Sequence, residues 1–201
     1  MIKNIILDVG KVLVEWDCDS AFRKLGFDDK TLNEVADATV RSADWNEYDR
    51  SLLDEEEQLA FFIHKAPEYE KEIRLFWDNM GLPIFQFPYA RGWIAAMKQA
   101  GYRVYILSNY AKHTYDCTRE ALSFLSDVDG AVFSFQKHRI KPEPELYEAL
   151  TEQYRLNPAE CLFLDDKPEN IETAKRLGWN GIVFTTYEEA LQQLKEYGVE
   201  L

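Results

Sequence analysis

Ile5-Ile6-Leu7-Asp8-Val9-Gly10-Lys11-Val12-Leu13 is the stretch whose reading decides the fold. Three consecutive apolar residues fit a short strand buried on both faces, and the chain turns polar at Asp8 immediately afterwards. Similar runs recur at Tyr102 to Leu107, Ala131-Val132-Phe133, Leu162-Phe163-Leu164 and Ile182-Val183-Phe184. Helical patterns fill the gaps between the later four, near 114–125, over 143–154 and over about 168–177. A further helix, from about Pro88 to Ala100 with Gly101 after its end, leads into the second strand. Strand alternating with helix predicts an α/β fold, a doubly wound Rossmann-like parallel sheet.

After the first strand, some ninety residues read as helices before the next strand-like run. Asp54 followed by Glu57 has the spacing of a capping box ahead of Leu59, Phe61, Phe62 and Ile63, and helical patterns fit about 30–41 and 68–80. This predicts an inserted helical cap over 16–86, on a core domain formed by 1–15 and 87–201. The linkers are expected near Glu15 and in the stretch from Pro83 to Pro88.

A chain of 201 residues, 46% hydrophobic, can bury one core and carry such an insertion, but not two equal domains. Its net charge of −13 and lack of any Lys/Arg run exclude a nucleic-acid-binding surface. An anionic substrate in so acidic a protein requires a local cation, a metal ion or a buried Lys. Cys18, Cys117 and Cys161 have no paired spacing, which argues for free thiols rather than disulfides or zinc. His64, His113 and His138 are scattered and read as surface or packing residues. The apolar run before Asp8 is too short for a signal peptide and nothing later reaches membrane-spanning length, so a soluble cytoplasmic protein without a membrane partner is expected.

Ligands of an open parallel sheet sit at the carboxyl ends of its strands. The first strand ends in Asp8-Val9-Gly10, the second in Ser108-Asn109 and the fourth in Asp165-Asp166, while Lys141-Pro142 follows the third. Each alone is an ordinary turn or cap residue. Together, an aspartate, a hydroxyl, a lysine and an acidic pair form the set needed to move a phosphoryl group. The carboxylate attacks phosphorus, a magnesium ion held by carboxylates removes the repulsion between anions, and Lys and Ser stabilise the equatorial oxygens.

Those four motifs, in the forms Ile5 to Leu13, Leu107-Ser108-Asn109, Lys141-Pro142-Glu143-Pro144 and Phe163-Leu164-Asp165-Asp166, resemble the ordered motifs of the haloacid dehalogenase superfamily. The likeness is closest to the glucose 1-phosphate phosphatase type and the N-terminal phosphatase domain of soluble epoxide hydrolases. It implies Asp8 as nucleophile and Mg2+ ligand, with the Gly10 carbonyl and Asp166 as further ligands. Asp165 would stand beside them, either orienting metal-bound water or pairing with Lys141. Ser108 and the backbone of Asn109 would bind phosphate, and Lys141 would hold both phosphate and Asp8. Trp45, with Tyr48 and Arg50, lies in the cap segment expected to meet a sugar, and Tyr110 follows the second motif closely enough to reach the substrate.

One position departs from the family pattern. Most family phosphatases carry a second Asp two residues after the nucleophile, as general acid and base. Here that position is Gly10. Another acid from the cap, or a water on Asp165, could substitute, and Glu15, Asp17 and His113 are the named candidate donors. The resemblance therefore implies a magnesium-dependent phosphatase of a small phosphorylated metabolite, with a sugar phosphate favoured, acting as monomer or homodimer. The alternatives are a catalytically degenerate relative that binds a phosphorylated ligand or protein partner, and a phosphoglucomutase-type phosphotransferase.

Overall fold

The computed structural model describes all 201 residues. Its strands are Asn4–Leu7 (β1), Val14–Trp16 (β2), Ile84–Gln86 (β3), Arg103–Ser108 (β4), Gly130–Phe133 (β5), Cys161–Asp165 (β6) and Asn180–Val183 (β7). The helices are Cys18–Lys24 (α1), Asp29–Ala38 (α2), Trp45–Arg50 (α3), Glu55–Lys65 (α4), Glu70–Asp78 (α5) and Ala90–Gln99 (α6). They continue with Lys112–Cys117 (α7), Ser134–Lys137 (α8), Pro144–Tyr154 (α9), Pro168–Arg176 (α10) and Tyr187–Glu196 (α11).

The main sheet runs β5-β4-β1-β6-β7 with every pairing parallel. Alternate residues of each strand feed opposite layers. Ile5, Leu7, Val104, Ile106, Leu162 and Leu164 enter one core, with Trp93 and Ile94 of α6. Ile6, Tyr105, Leu107, Cys161 and Phe163 enter the other, with Leu146 and Leu150 of α9. Burial on both faces is why these strands read as unbroken apolar runs. Truncating a wholly buried residue such as Ile6 to Ala is expected to cost about 2–5 kcal/mol.

Chain order reverses at β1, which lies between β4 and β6. Leu7 is level with Ile106 on one side and Leu164 on the other, so the ends of the three strands open at one height. This is the topological switch point at which doubly wound sheets bind ligands.

The helical segment α1–α5 has its own core, in which Phe22, Val35, Tyr48, Phe62, Phe76 and Trp77 pack together. The capping box forms at α4, where Glu57 N donates to Asp54 Oδ1 at 2.9 Å and Asp54 N donates to Glu57 Oε2 at 3.1 Å. Gly101, in the left-handed region at φ 90°, stops α6 before β4.

The stretches near Glu15 and Pro83 to Pro88 contain short strands that pair: β2 and β3 run antiparallel, Val14 with Gln86, Glu15 with Phe85 and Trp16 with Ile84. Strands of three residues are too short to show alternation in a sequence. The helix expected near 114–125 ends at Cys117, and only a 3-10 turn over Ser123–Ser126 follows. Thr118 caps the short helix, its hydroxyl donating back to the Thr114 carbonyl at 2.7 Å.

Candidate active site

The centre is built on a buried lysine. Lys141, 4% exposed, donates to the Leu107 carbonyl at 3.0 Å and Asp165 Oδ2 at 2.7 Å, and lies 2.8 Å from Asp8 Oδ1. Its three N–H groups are thereby all engaged. The loop that carries it is fastened to the end of β4 by Asn109, whose Oδ1 accepts from Lys141 N at 2.7 Å and whose Nδ2 donates to Lys141 O at 3.0 Å. Asp8 is fixed from β6, its N–H donating to the Leu164 carbonyl at 2.9 Å. Ser108, at the end of β4, lines the cavity with Asp8.

Asp165 is fully enclosed and committed. Besides Lys141, it accepts from both Asn170 Nδ2 contacts at 2.9 Å and from Lys167 N at 2.8 Å. Of the two roles expected for it, the pairing with Lys141 is the one these bonds serve. Asp166 is half-buried and lines the open cavity, with Asp8, Gly10, Ser108, Asn109 and Lys141. Carboxylate oxygens of Asp8, Asp165 and Asp166 lie within 4.8 Å of one another.

Burial pushes the Asp8 carboxyl up to about 6, against the pull of Lys141 and with the push of Asp165. Burial, then the charge of Asp165, also raises Asp166. On Lys141, burial works against the charge, but Asp165 and Asp8 outweigh it and hold the ammonium above its usual value. Three carboxylates against one ammonium leave two negative charges in a confined space. Such a centre attracts a divalent cation that prefers hard oxygen donors. Buried Asn170 Oδ1, which also faces this region, has no hydrogen-bond partner.

The cavity, about 340 Å³, is closed on its other side by Val40, Trp45, Asn46 and Asp49 from the helical segment. Trp45 reaches it from an aromatic cluster, with Tyr48 at 4.6 Å and Trp16 at 5.8 Å between ring centroids. Tyr110 borders the cavity, but its hydroxyl is bonded to Thr118 Oγ1 at 2.9 Å and its ring packs edge-on to Phe133. That hydroxyl is oriented by the core rather than left for a ligand.

None of the candidate substitutes for the missing acid among side chains lines the cavity. Glu15 is paired with Lys11, Asp17 caps α1 by accepting from Ser20 N at 3.0 Å, and His113 stacks on Trp77 at 4.0 Å. Sequence reasoning missed Asp49, Lys11 and Lys167, all of which line the cavity. Asp49 sits between Tyr48 and Arg50, in the very segment singled out for its aromatic and basic residues, but no motif marks it.

Residues 2–178 match the family model of haloacid dehalogenase-like hydrolases. The chain belongs to that family, and is an enzyme of its phosphatase kind. It is 29% identical to the D-ribitol-5-phosphate phosphatase of Bacteroides thetaiotaomicron, over 89% of this chain and 90% of that one. It is also 29% identical to the bifunctional epoxide hydrolase 2 of Rattus norvegicus, over 51% of this chain but only 19% of that one. Among solved structures, a family enzyme of Bacteroides thetaiotaomicron in complex with magnesium and inorganic phosphate superposes with a TM-score of 0.74. That pair is 21% identical, covering 94% of this chain and 99% of the other.

Proposed function

We propose that the chain hydrolyses the phosphate monoester of a small sugar or sugar alcohol, with Mg2+, through a phosphorylated Asp8. The observation that carries this reading is the contact of Lys141 with both Asp8 and Asp165 at the switch point of the sheet. The named activity of the Bacteroides relative and the modest cavity favour a small polyhydroxylated substrate.

The donor set fits magnesium: Asp8 and Asp166 carboxylates and the Gly10 carbonyl would hold it, near the unpartnered Asn170 Oδ1. Asp165 serves the site by fixing Lys141 and Asn170. Bound there, the ion supplies the positive charge that lets a carboxylate approach a phosphate and steadies the transferring group.

The chain's own residues do the rest. Lys141 keeps Asp8 ionised and adds charge beside the phosphate without leaving its three partners. Ser108 and the backbone of Asn109 orient the phosphate oxygens, so that Asp8 attacks phosphorus in line with the departing sugar oxygen. Residues 16–86 act as a cap domain on the core of 1–15 and 87–201, and Val40, Trp45 and Asn46 exclude water from above.

The test is phosphate release from a panel of sugar and polyol phosphates, with and without magnesium, by the native chain and Asp8→Asn. Magnesium-dependent release that disappears in the variant is the expected result. Release that survives in Asp8→Asn would remove the aspartyl intermediate from the reading.

A further inference from the structure

We propose that Asp49, carried by the helical segment instead of the nucleophile loop, is the general acid and base of the reaction, a role that rests on the phosphatase reading above. Position 10 is Gly, so the loop after Asp8 supplies no carboxylic acid there, and its Lys11 is paired with Glu15 and donates to the Trp16 carbonyl at 3.0 Å. Crowding is not the reason, because a Cβ at Gly10 would meet no heavy atom within 4 Å. The donor must come from elsewhere around the cavity.

The carboxyl and phenol groups lining that cavity are Asp8, Asp49, Asp166 and Tyr110. Asp8 is the nucleophile, Asp166 belongs to the cation site, and the Tyr110 hydroxyl is bonded to Thr118. Asp49 is left. It is half-buried, and Lys167, Asp8 and Lys141 are the charged groups that act on it, with Lys11 and Asp166 lining the same space.

Its position is unusually well secured, since four consecutive residues are tied to the core. The Tyr48 hydroxyl bonds Thr114 Oγ1 at 2.7 Å, and Ser134 Oγ donates to the Asp49 carbonyl at 2.6 Å. Arg50 pairs with Glu143 through its two terminal guanidinium nitrogens, while its carbonyl accepts from His138 Nδ1 at 2.8 Å. Ser51, in the left-handed region at φ 50°, accepts from Lys112 N at 2.9 Å. The backbone that carries Asp49 is thus fixed at the wall of the cavity it shares with Asp8, which limits where its carboxyl can reach, as proton transfer requires.

The environment suits the role. Burial, reinforced by Asp8 and opposed by Lys167, Lys141 and the Ala111 N–H, pushes the Asp49 carboxyl up to about 7. A group of that strength gives a proton and takes one back near neutrality. In the first step an Asp8 oxygen bonds to phosphorus, the bond from phosphorus to the sugar oxygen breaks, and the Asp49 proton passes to that oxygen, releasing the alcohol. In the second, Asp49 takes a proton from water as the water oxygen bonds to phosphorus. The bond to Asp8 then breaks, freeing phosphate and restoring both carboxyl groups.

The test separates leaving groups. An alkyl phosphate needs the proton, whereas acetyl phosphate and p-nitrophenyl phosphate expel stable anions. Asp49→Asn is expected to lower kcat/KM on ribitol 5-phosphate about 10²- to 10⁴-fold, and much less on the two activated esters. Rapid mixing with p-nitrophenyl phosphate should then show a burst of nitrophenolate, because the phosphoenzyme waits for its base. Gly10→Asp placed on Asp49→Asn should recover part of the alkyl phosphate activity, since a Cβ at that position would meet no heavy atom within 4 Å. An equal loss on all three esters, with native melting temperature and no recovery by Gly10→Asp, would overturn the proposal and leave Asp49 as a contact of the helical segment. No release from any ester by the native chain would overturn the phosphatase reading itself, and this role with it.

Discussion

Arg50 and Glu143 meet as a two-pronged ion pair, Nη1 to Oε2 at 2.8 Å, one from the helical segment and the other at the start of α9. The pair joins the two sides of the active-site cavity. Arg50→Ala should therefore raise KM for a sugar phosphate and lower stability by about 0.5–1 kcal/mol, a modest figure because Glu143 is part-exposed. Its pH dependence has a definite sign. The Arg50 guanidinium holds the Glu143 carboxyl below its usual 4.5. The stabilisation is thus present above about pH 4.5 and is lost as the pH falls through the folded value. Thermal melts of the two single variants and the double at pH 7 and pH 4 give the coupling, which should be smaller at the lower pH.

Asp8 pulls the other way. Its carboxyl is raised from 3.8 to about 6, so ionising it costs the folded protein free energy that is absent below the lower value and full above the higher. Metal-free Asp8→Asn should be more stable than the native chain at pH 8 by about 1–3 kcal/mol, or roughly 2–4 °C in Tm per kcal/mol. The gap should close toward pH 4. Added magnesium should raise the native melting temperature and leave the variant's nearly unchanged.

Lys141→Met is expected to be costly in both activity and stability. It abolishes the charge beside Asp8 and leaves Asp165, wholly buried, without its cation. Breaking a buried pair from one side costs about 3–5 kcal/mol. Urea unfolding should show this loss, and an unchanged midpoint would mean that the Lys141–Asp165 pair adds nothing to net stability.

Tyr110→Phe should leave kcat and KM for a sugar phosphate unaltered, since the hydroxyl serves Thr118. Stability should fall by about 0.5–1.5 kcal/mol for the lost hydrogen bond. A rise in KM without loss of stability would restore Tyr110 as a substrate contact.

The parts of this molecule that a sequence reader can find are those where one strand does one job. Ile5 to Leu7 is apolar throughout because both its faces are buried, and Asp8 stands out because it breaks that run. Ser108, Lys141 and Asp165-Asp166 follow the same logic at neighbouring strand ends. Asp49 has no such frame. It lies on a helix of six residues whose only legible features are the aromatic rings it needs for packing, and its bond network is with Thr114, Ser134, His138 and Glu143, 65 or more positions away. The role of Asp165 was legible as a choice of two, and only the bonds from Asn170, Lys167 and Lys141 distinguish a scaffold carboxylate from its half-buried neighbour Asp166.

The β2–β3 ribbon brings Trp16 and Ile84 side by side, so the helical segment leaves and rejoins the chain at nearly one point. An insertion with adjacent ends can be lengthened, replaced or redesigned while β1, β4 and β6 keep their register. Such a change alters the cavity wall formed by Trp45 and Asn46 and leaves Asp8 in place at the end of β1. If the proton donor also resides on the exchangeable piece, however, swapping the piece trades specificity and chemistry together, and a graft from a relative that keeps its acid in the nucleophile loop would arrive without one.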